Sequence, residues 1–379
     1  MNDLTRRIKD STKKLLLNKR GFHTDRKILI IESDDWGSIR MPSESAFKSI
    51  VKADPLTAHD PFLKYDSLEE LYEVERICDA FSCFKDKNGK HPCITANFAV
   101  ANPSFERIDP LAGTYYYETF FDTYNSYFGS GDKMLSIIKK AADNHLFFPQ
   151  LHAREHLNVE RWMNDLRNNR TDTVLAFDHR TMGVGSSFTQ GNRFGYMDAY
   201  NYDQEDELNK LKDIIFDASS LFYKYFGFHA RTTAAPCYVW TAEIEKFFAE
   251  IGIELIQTQF KQNICNCVGT EKMHSRIHYT GQKNKLKQLY SVRNCSFEPA
   301  ITQSVNRSID DCLCQIDMSF KNHKPAIINS HRLNYISSID VKNGDDGIKG
   351  LTSLLKEVTT KYSDIEFFTS EELLELMKS

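Results

Sequence analysis

The sequence has no long uninterrupted apolar run and almost no excess of charge of either sign. Its 48 lysines and arginines are balanced by 52 aspartates and glutamates, a formal net charge of −4, so no global electrostatic case exists for binding nucleic acid or an anionic membrane. With a mean hydropathy of −0.48, we expect no membrane-spanning helix. The stretch 1–20 mixes basic residues with one short apolar run and lacks the longer apolar core of a signal peptide.

Cysteine is scarce and odd in number, with nine residues in a chain of 379. That count argues against a disulfide scaffold and for a reducing compartment. Cys265 with Cys267, and Cys312 with Cys314, are spaced more closely than the thiolates of zinc sites, which usually have two to four residues between them. We therefore interpret the cysteines as buried or incidental thiols, and we expect a cytoplasmic protein.

The composition, 41% hydrophobic and 26% charged, is that of an ordinary globular protein. No repeat and no Pro/Gly/Ser-rich linker divides the chain, and its length suits one large α/β barrel. We expect an N-terminal helical extension over 1–24 and a single barrel domain over 25–379.

Apolar runs of strand length alternate with helically spaced apolar residues, which favours parallel βα units. The predicted strands cover 27–32, 92–100, 146–151, 253–257, 325–329 and 365–368. The predicted helices cover 67–84, 132–144, 208–225, 242–250, 310–320, 347–362 and 370–377. Three stretches interrupt this rhythm and are interpreted as loop insertions: 102–131, 176–203 and 261–299. The first is rich in Tyr and Phe, which indicates a local hydrophobic core or, alternatively, a stacking wall for a sugar ring.

Polar side chains follow three of the predicted strands: the pair Asp34 and Asp35, the pair His152 and His156, and His331. Because functional groups of parallel α/β folds gather at the carboxyl ends of the strands, all three should meet on one face. Each signal alone is weak, since an Asp pair is often a turn or helix cap and a His pair an exposed helix face. Together they suit a divalent metal with acid and base groups nearby.

Neighbouring residues at a strand end point in different directions, so one ion should not take both aspartates. One carboxylate with His152 and His156 leaves an open position for water, while the other Asp can act as base and His331 as acid. The same ligand set could hold Fe(II) for oxygen chemistry. The additional Asp and the separate His favour hydrolysis.

These residues resemble the polysaccharide deacetylases, the NodB-like deacetylases of the carbohydrate esterase family 4 type, at four of the five short motifs of that family. The stretch ESDDWG (32–37) is similar to the first motif, HAREH (152–156) to the second and NSH (329–331) to the fifth. RTTAAP (231–236) resembles the third, although the family pattern places fewer residues between Arg and Pro. The fourth motif has no match.

The resemblance implies a distorted (β/α)7 barrel with loop insertions, and it implies roles for individual residues. Asp34 would be the catalytic base, held by Arg231, and His331 the general acid. The metal ligands would be Asp35, His152 and His156.

Three further residues are candidates for contacts with substrate. Glu298 is also the candidate acidic partner of His331, with a structural salt bridge as the alternative. Trp36 could equally pack beneath its loop, and Arg154 could be solvated.

The function that follows is a metal-dependent hydrolase, with zinc as the expected ion, that deacetylates an N-acetylated sugar or glycan precursor. A catalytically inactive glycan-binding barrel is one alternative. A metal-dependent glycosyltransferase-like enzyme, in which Asp34 and Asp35 hold a metal–nucleotide pair, is another. The sequence predicts no nucleic-acid partner and leaves the oligomeric state open.

Overall fold

The computed structural model describes residues 20–188, 194–264 and 274–379. Most of the predicted helical extension over 1–24, and the pair Cys265 and Cys267, therefore lie outside the described residues. Residues 20–24 run as irregular chain along the fold, where the amide of Phe22 donates to the carbonyl of Thr280 at 2.8 Å. No described helix is both long and apolar enough to cross a membrane.

Every strand and helix predicted above is present, with ends that differ by a few residues. The strands are β1 Lys27–Trp36, β2 Ile94–Ala99, β3 Ala101–Pro103, β4 Tyr117–Thr119, β5 Phe147–Ala153, β6 Thr232–Ala234, β7 Leu255–Thr258, β8 Lys261–Ile264, β9 His274–Ile277, β10 Leu289–Val292, β11 Cys295–Ser296, β12 Ala326–His331 and β13 Ile365–Phe368. The helices are α1 Glu44–Ala53, α2 Pro61–Tyr65, α3 Leu71–Ser82, α4 Phe120–Phe128, α5 Gly131–Asp143, α6 Val159–Arg167, α7 Thr171–Asp178, α8 Glu207–Phe226, α9 Ala242–Glu250, α10 Pro299–Thr302, α11 Val305–Lys321, α12 Val341–Lys361 and α13 Ser370–Lys378.

Nine parallel strands form one curled sheet in the order β10-β7-β6-β5-β2-β1-β12-β11, with β13 also paired to β1. Its two end strands, β10 and β11, are separated in the chain only by Arg293 and Asn294. The amide of Arg293 donates to Thr258 of β7 at 2.9 Å, and that of Asn294 donates to Ile327 of β12 at 3.1 Å. This connection brings the two ends of the sheet together, so the expected distorted α/β barrel is confirmed.

The third predicted insertion is wrong in its second half, because β10 and β11 belong to the barrel. They escaped detection because neither is a continuous apolar run: β10 (LYSV) contains a serine, and β11 is only two residues long. The first insertion contains the hairpin β3–β4 and helix α4. Its Phe120 and Tyr124 are fully buried in the main core, which confirms the packing interpretation for these two rings.

The interior of the barrel changes from apolar to polar along strand β1. Ile28 and Ile30 pack against Leu373 of the C-terminal helix α13, which fills the amino end of the barrel. Two and four residues further on, Glu32 and Asp34 lie on the same face of the strand and are also buried. The carboxyl end of the barrel therefore presents charged groups, and it is there that a site can form.

Candidate active site

Strand β1 ends in an irregularity that separates its two aspartates. The register of β1 with β2 shifts between Ser33 and Trp36, and Asp35 adopts a left-handed φ of 76°. A bulge of this kind redirects side chains, and a non-glycine residue in that region is strained and typical of functional sites. Asp34 pairs with Arg293 inside the barrel, whereas Asp35 faces the two histidines. The neighbouring carboxylates point apart, as expected.

A second bulge places His152. On β5, Leu151 pairs with Phe98 and Ala153 pairs with Ala99, so His152 is the additional residue between them. Strands β1 and β5 both pair with β2. The two bulges consequently lie on either side of one strand and direct their side chains towards a common point.

Three ligand-type atoms converge there. Nε2 of His152 lies 3.4 Å from Oδ1 of Asp35, and Nε2 of His156 lies 3.2 Å from the same oxygen. One ligand atom from each residue falls within 4.8 Å of the other two, and all three residues are buried.

The hydrogen bond made by His152 leaves the lone pair of its other ring nitrogen free for a metal ion. Nδ1 of His152 must carry its proton, because it donates to the carbonyl of Ala234 at 2.6 Å, so Nε2 is unprotonated in the neutral ring. Among the described residues, this Nε2 has no hydrogen-bond partner. Burial also lowers the pKa of His156 to about 4, which keeps that ring neutral near pH 7. The donor set fits a divalent ion.

Asp34 is held by a bidentate pair with Arg293. Its Oδ2 accepts from Nη1 at 2.6 Å and its Oδ1 from Nη2 at 2.7 Å, and Asn97 donates to Oδ1 at 2.7 Å. Burial raises the pKa of the Asp34 carboxyl, but the charge and hydrogen bonds of Arg293 outweigh this effect and hold the pKa well below its usual range. Asp34 is thus ionised at any ordinary pH.

The same arginine also contacts Glu32, which lies two residues before Asp34 on the same face of strand β1 and deeper in the barrel. Nε of Arg293 donates to Oε2 of Glu32 at 2.7 Å, and both side chains are fully buried. Burial raises the pKa of Glu32, in the opposite direction to that of Asp34. Such a divergence between two carboxyl groups is typical of sites in which they have different roles.

His331 lies beside Asp34, because the two residues are register partners across strands β1 and β12. Its Nδ1 donates to Oε1 of Glu298 at 2.6 Å, and the side chain of His331 is 16% exposed. Burial lowers the pKa of His331, but the charge and hydrogen bond of Glu298 outweigh burial and raise it to about 9. Glu298 was interpreted either as the acidic partner of His331 or as part of a structural salt bridge elsewhere. Its hydrogen bond to His331 favours the first interpretation.

The structure does not bring Arg231 to this cluster, which is a correction to the expected arrangement. Arg231 immediately precedes β6, at the amino end of a strand, and its guanidinium binds Glu254 and Glu375 on the surface. The contacts expected of it are made by Arg293, which follows the carboxyl end of β10.

Two candidate substrate contacts also lie outside the cluster. Trp36 is fully buried, donates to Ser33 at 3.0 Å and packs edge-on against Phe147, so it is a core residue. Arg154 binds Glu155 and Asp217 and is mostly buried. Within the part of the chain that the structure describes, the side chains of Trp36 and Arg154 make no hydrogen bond or ion pair with Asp34 or Asp35.

Three residues at the site were missed by the sequence reasoning: Asn97, Tyr238 and Arg293. A signal was present for two of them, since Asn97 interrupts an apolar strand and Arg293 follows one. Tyr238 accepts a hydrogen bond from Arg293 at 2.8 Å and, like Cys237, has a left-handed φ of 54°. That strained loop beside Asp34 is a feature of the backbone that no residue pattern predicts.

No family model matches the sequence, and no curated protein matches it. Solved structures do match. A protein from Mycobacterium smegmatis assigned to the polysaccharide deacetylases is 11% identical, with a TM-score of 0.46 over 95% of this chain and 93% of that one. An allantoinase is 10% identical, with a TM-score of 0.45 over 94% and 93% of the two chains. A family 4 acetyl xylan esterase from Clostridium thermocellum, in complex with a cobalt ion, is 9% identical, with a TM-score of 0.40 over 92% and 91%. At these levels of likeness, a function must be argued from the site itself.

Proposed function

We propose that this protein is a metal-dependent hydrolase that removes the N-acetyl group from a sugar or glycan precursor. The observation that carries the proposal is the convergence of three ligand atoms beside the carboxylate of Asp34 and the imidazole of His331. The carbohydrate substrate is taken from the resemblance of the motifs, and zinc is the proposed ion. The cytoplasmic location stays a prediction.

Asp35, His152 and His156 would hold the ion. A divalent ion bound there would act as a Lewis acid and would lower the pKa of a water molecule bound to it. His152 is oriented for this by its hydrogen bond to Ala234, and the burial of all three side chains limits competition from bulk water.

Asp34 and His331 would move the protons. Asp34, ionised and locked by Arg293, accepts a proton from the attacking water. His331 has Nδ1 committed to Glu298, so its Nε2–H donates to the nitrogen of the departing amine. Amide cleavage needs this second transfer, because an unprotonated amide anion is a very poor leaving group.

Both alternatives differ from this proposal in measurable ways. A glycosyltransferase-like site gives no role to the histidine pair that converges on Asp35. An inactive glycan-binding barrel would keep the fold but release no acetate. Acetate release from a panel of N-acetylated sugars and sugar nucleotides, measured on the metal-loaded protein, separates the proposed hydrolase from both alternatives.

Replacing His152 or His156 with Ala should reduce bound metal to a small fraction of one ion per chain. Each change removes one of three ligands, and a two-ligand remnant holds an ion poorly. The measurement is metal content after gel filtration. A matched control is His278→Ala, which removes another buried imidazole, one bound to Gln262, and should leave the metal content at the wild-type value. Full metal occupancy in both ligand variants would place the site elsewhere.

Activity should persist up to a pH near 9 and then fall, because His331 donates only while it is protonated and its pKa is raised to about 9. Glu298→Gln removes the charge that opposes burial, so the pKa of His331 should fall and the alkaline limb should move down by about one unit or more. The measurement is the pH profile of kcat/KM for both proteins. Asp217→Asn, which removes a carboxylate bound to Arg154, is the control and should not move the limb. An alkaline limb that stays in place in Glu298→Gln would contradict the assignment.

A further inference from the structure

We propose that Arg40 is a positioning residue for the metal ligand Asp35, directing one carboxylate oxygen to the ion and withholding the other. This inference rests on the proposed metal site. Nothing in the motif resemblance points to Arg40, which lies five residues after Asp35 in the loop that leaves strand β1.

The two oxygens of Asp35 have different environments. Oδ1 faces Nε2 of both His152 and His156, at 3.4 and 3.2 Å, whereas Oδ2 accepts from Nη2 of Arg40 at 3.2 Å. A carboxylate with one oxygen occupied in this way presents only the other to a metal ion. Its mode of binding is then monodentate, which keeps the coordination position next to it open for water.

Arg40 is itself held rigidly. Its side chain is only 7% exposed and its Nε lies 3.4 Å from Oδ2 of Asp66. Its carbonyl accepts from the hydroxyl of Thr181 at 2.5 Å, and the next amide, of Met41, donates to the carbonyl of Asp66 at 2.9 Å. The guanidinium also lies over the ring of Phe62, 4.8 Å from its centroid. The backbone of Arg40 is therefore hydrogen-bonded, and its guanidinium is enclosed between Asp35, Asp66 and Phe62, although its Nε makes no hydrogen bond among the described residues.

Arg40 belongs to a buried chain of alternating charges, which we call the ion chain: Asp35, Arg40, Asp66, Arg332 and Glu69. Arg332 is fully buried and donates to Asp66 at 2.7 Å and to Glu69 at 2.6 Å. Glu69 in turn accepts from the amide of Gly37 at 2.8 Å. The ion chain thus begins at the metal ligand and returns to the same loop after β1. Removing one charge from the ion chain would leave the neighbouring charge buried without a partner. The pairs therefore favour the arrangement in which every charge keeps its partner.

A simple charge effect and a positioning effect of Arg40 have opposite signs. A cation beside the site repels the metal ion, so its removal should strengthen metal binding if charge alone matters. If Arg40 orients Asp35, its removal frees the carboxylate to rotate and should weaken binding. Residues that orient metal ligands in this way usually change affinity by about ten- to a hundredfold.

The test is the dissociation constant for Zn²⁺, and the absorption spectrum of bound Co²⁺, in the full chain with Arg40→Gln. We expect Zn²⁺ binding about ten- to a hundredfold weaker, together with a changed Co²⁺ spectrum because the coordination mode of Asp35 changes. Arg40→Lys keeps the charge and should recover part of the affinity. Arg332→Lys is the matched control: it alters the other buried arginine that binds Asp66, does not touch Asp35, and should lower the melting temperature without changing the Zn²⁺ affinity.

Three results would overturn the inference: unchanged or stronger Zn²⁺ binding in Arg40→Gln, an equal loss of affinity in Arg332→Lys, or an unaltered Co²⁺ spectrum. If Arg40→Gln does not fold, the comparison of Arg40→Lys with Arg332→Lys decides by the same criteria. A wild-type chain that binds neither ion would instead refute the proposed function. Failure of the inference and failure of the metal site are therefore distinguishable.

Discussion

Replacing Asp34 with Asn should leave a protein that binds its metal ion but turns over substrate about 10²- to 10⁴-fold more slowly, the usual contribution of a positioned general base. Asn has nearly the shape of Asp but cannot accept a proton at neutral pH. The surroundings of Asp34 add a second expectation. One oxygen that now accepts from Arg293 becomes an amide donor facing another donor, so the variant should also unfold more easily, by about 1–3 kcal/mol.

Asp35→Asn is the matched comparison, since it makes the same chemical change one residue away. Asp35 faces the histidine pair, so this variant should lose metal affinity first, and excess metal in the assay should restore part of the activity. The measurements are metal affinity and turnover for both proteins. If Asp34→Asn loses the metal and Asp35→Asn keeps it, the two roles are exchanged. If neither variant changes turnover, the protein is not this kind of hydrolase.

The residues that follow long apolar strands were accessible from the sequence. Asp34, Asp35, His152 and His331 each come directly after, or at the end of, a run that is long enough to be recognised as a buried strand. Parallel topology then forces such positions to one end of the sheet. What the sequence could not supply is the pair of bulges that separate the two aspartates and turn His152 inward, because a bulge depends on the partner strand.

The arginine that binds Asp34 could not be identified from the sequence. Arg231 was selected because a proline follows it, but it lies at the amino end of strand β6, so its guanidinium is at the end of the barrel away from Asp34. Arg293 lies between two strands that form no continuous apolar run, and its contact with Asp34 spans 259 positions in the sequence. Closure of the barrel brings these residues together, and closure is a property of the whole chain.

Arg293 should also contribute strongly to the stability of the fold. Arg293→Met leaves Glu32 and Asp34 buried without their common counter-charge, and breaking a buried pair in this way typically costs about 3–5 kcal/mol of stability. Arg231→Met makes the same substitution in a side chain that is 33% exposed and paired with exposed glutamates, where the expected cost is about 0–1 kcal/mol. Urea unfolding of the two variants measures the difference.

A double variant separates loss of charge balance from loss of packing. Adding Asp34→Asn to Arg293→Met removes one of the two stranded carboxylates, so part of the lost stability should return while turnover stays absent. A double variant no more stable than Arg293→Met alone would mean that packing, and not the buried charge, sets the cost. Equal destabilisation by Arg293→Met and Arg231→Met would contradict the account of the barrel interior. Of these two arginines, it is Arg293 that binds two carboxylates away from water and joins, through its own backbone, the two ends of the sheet that holds them.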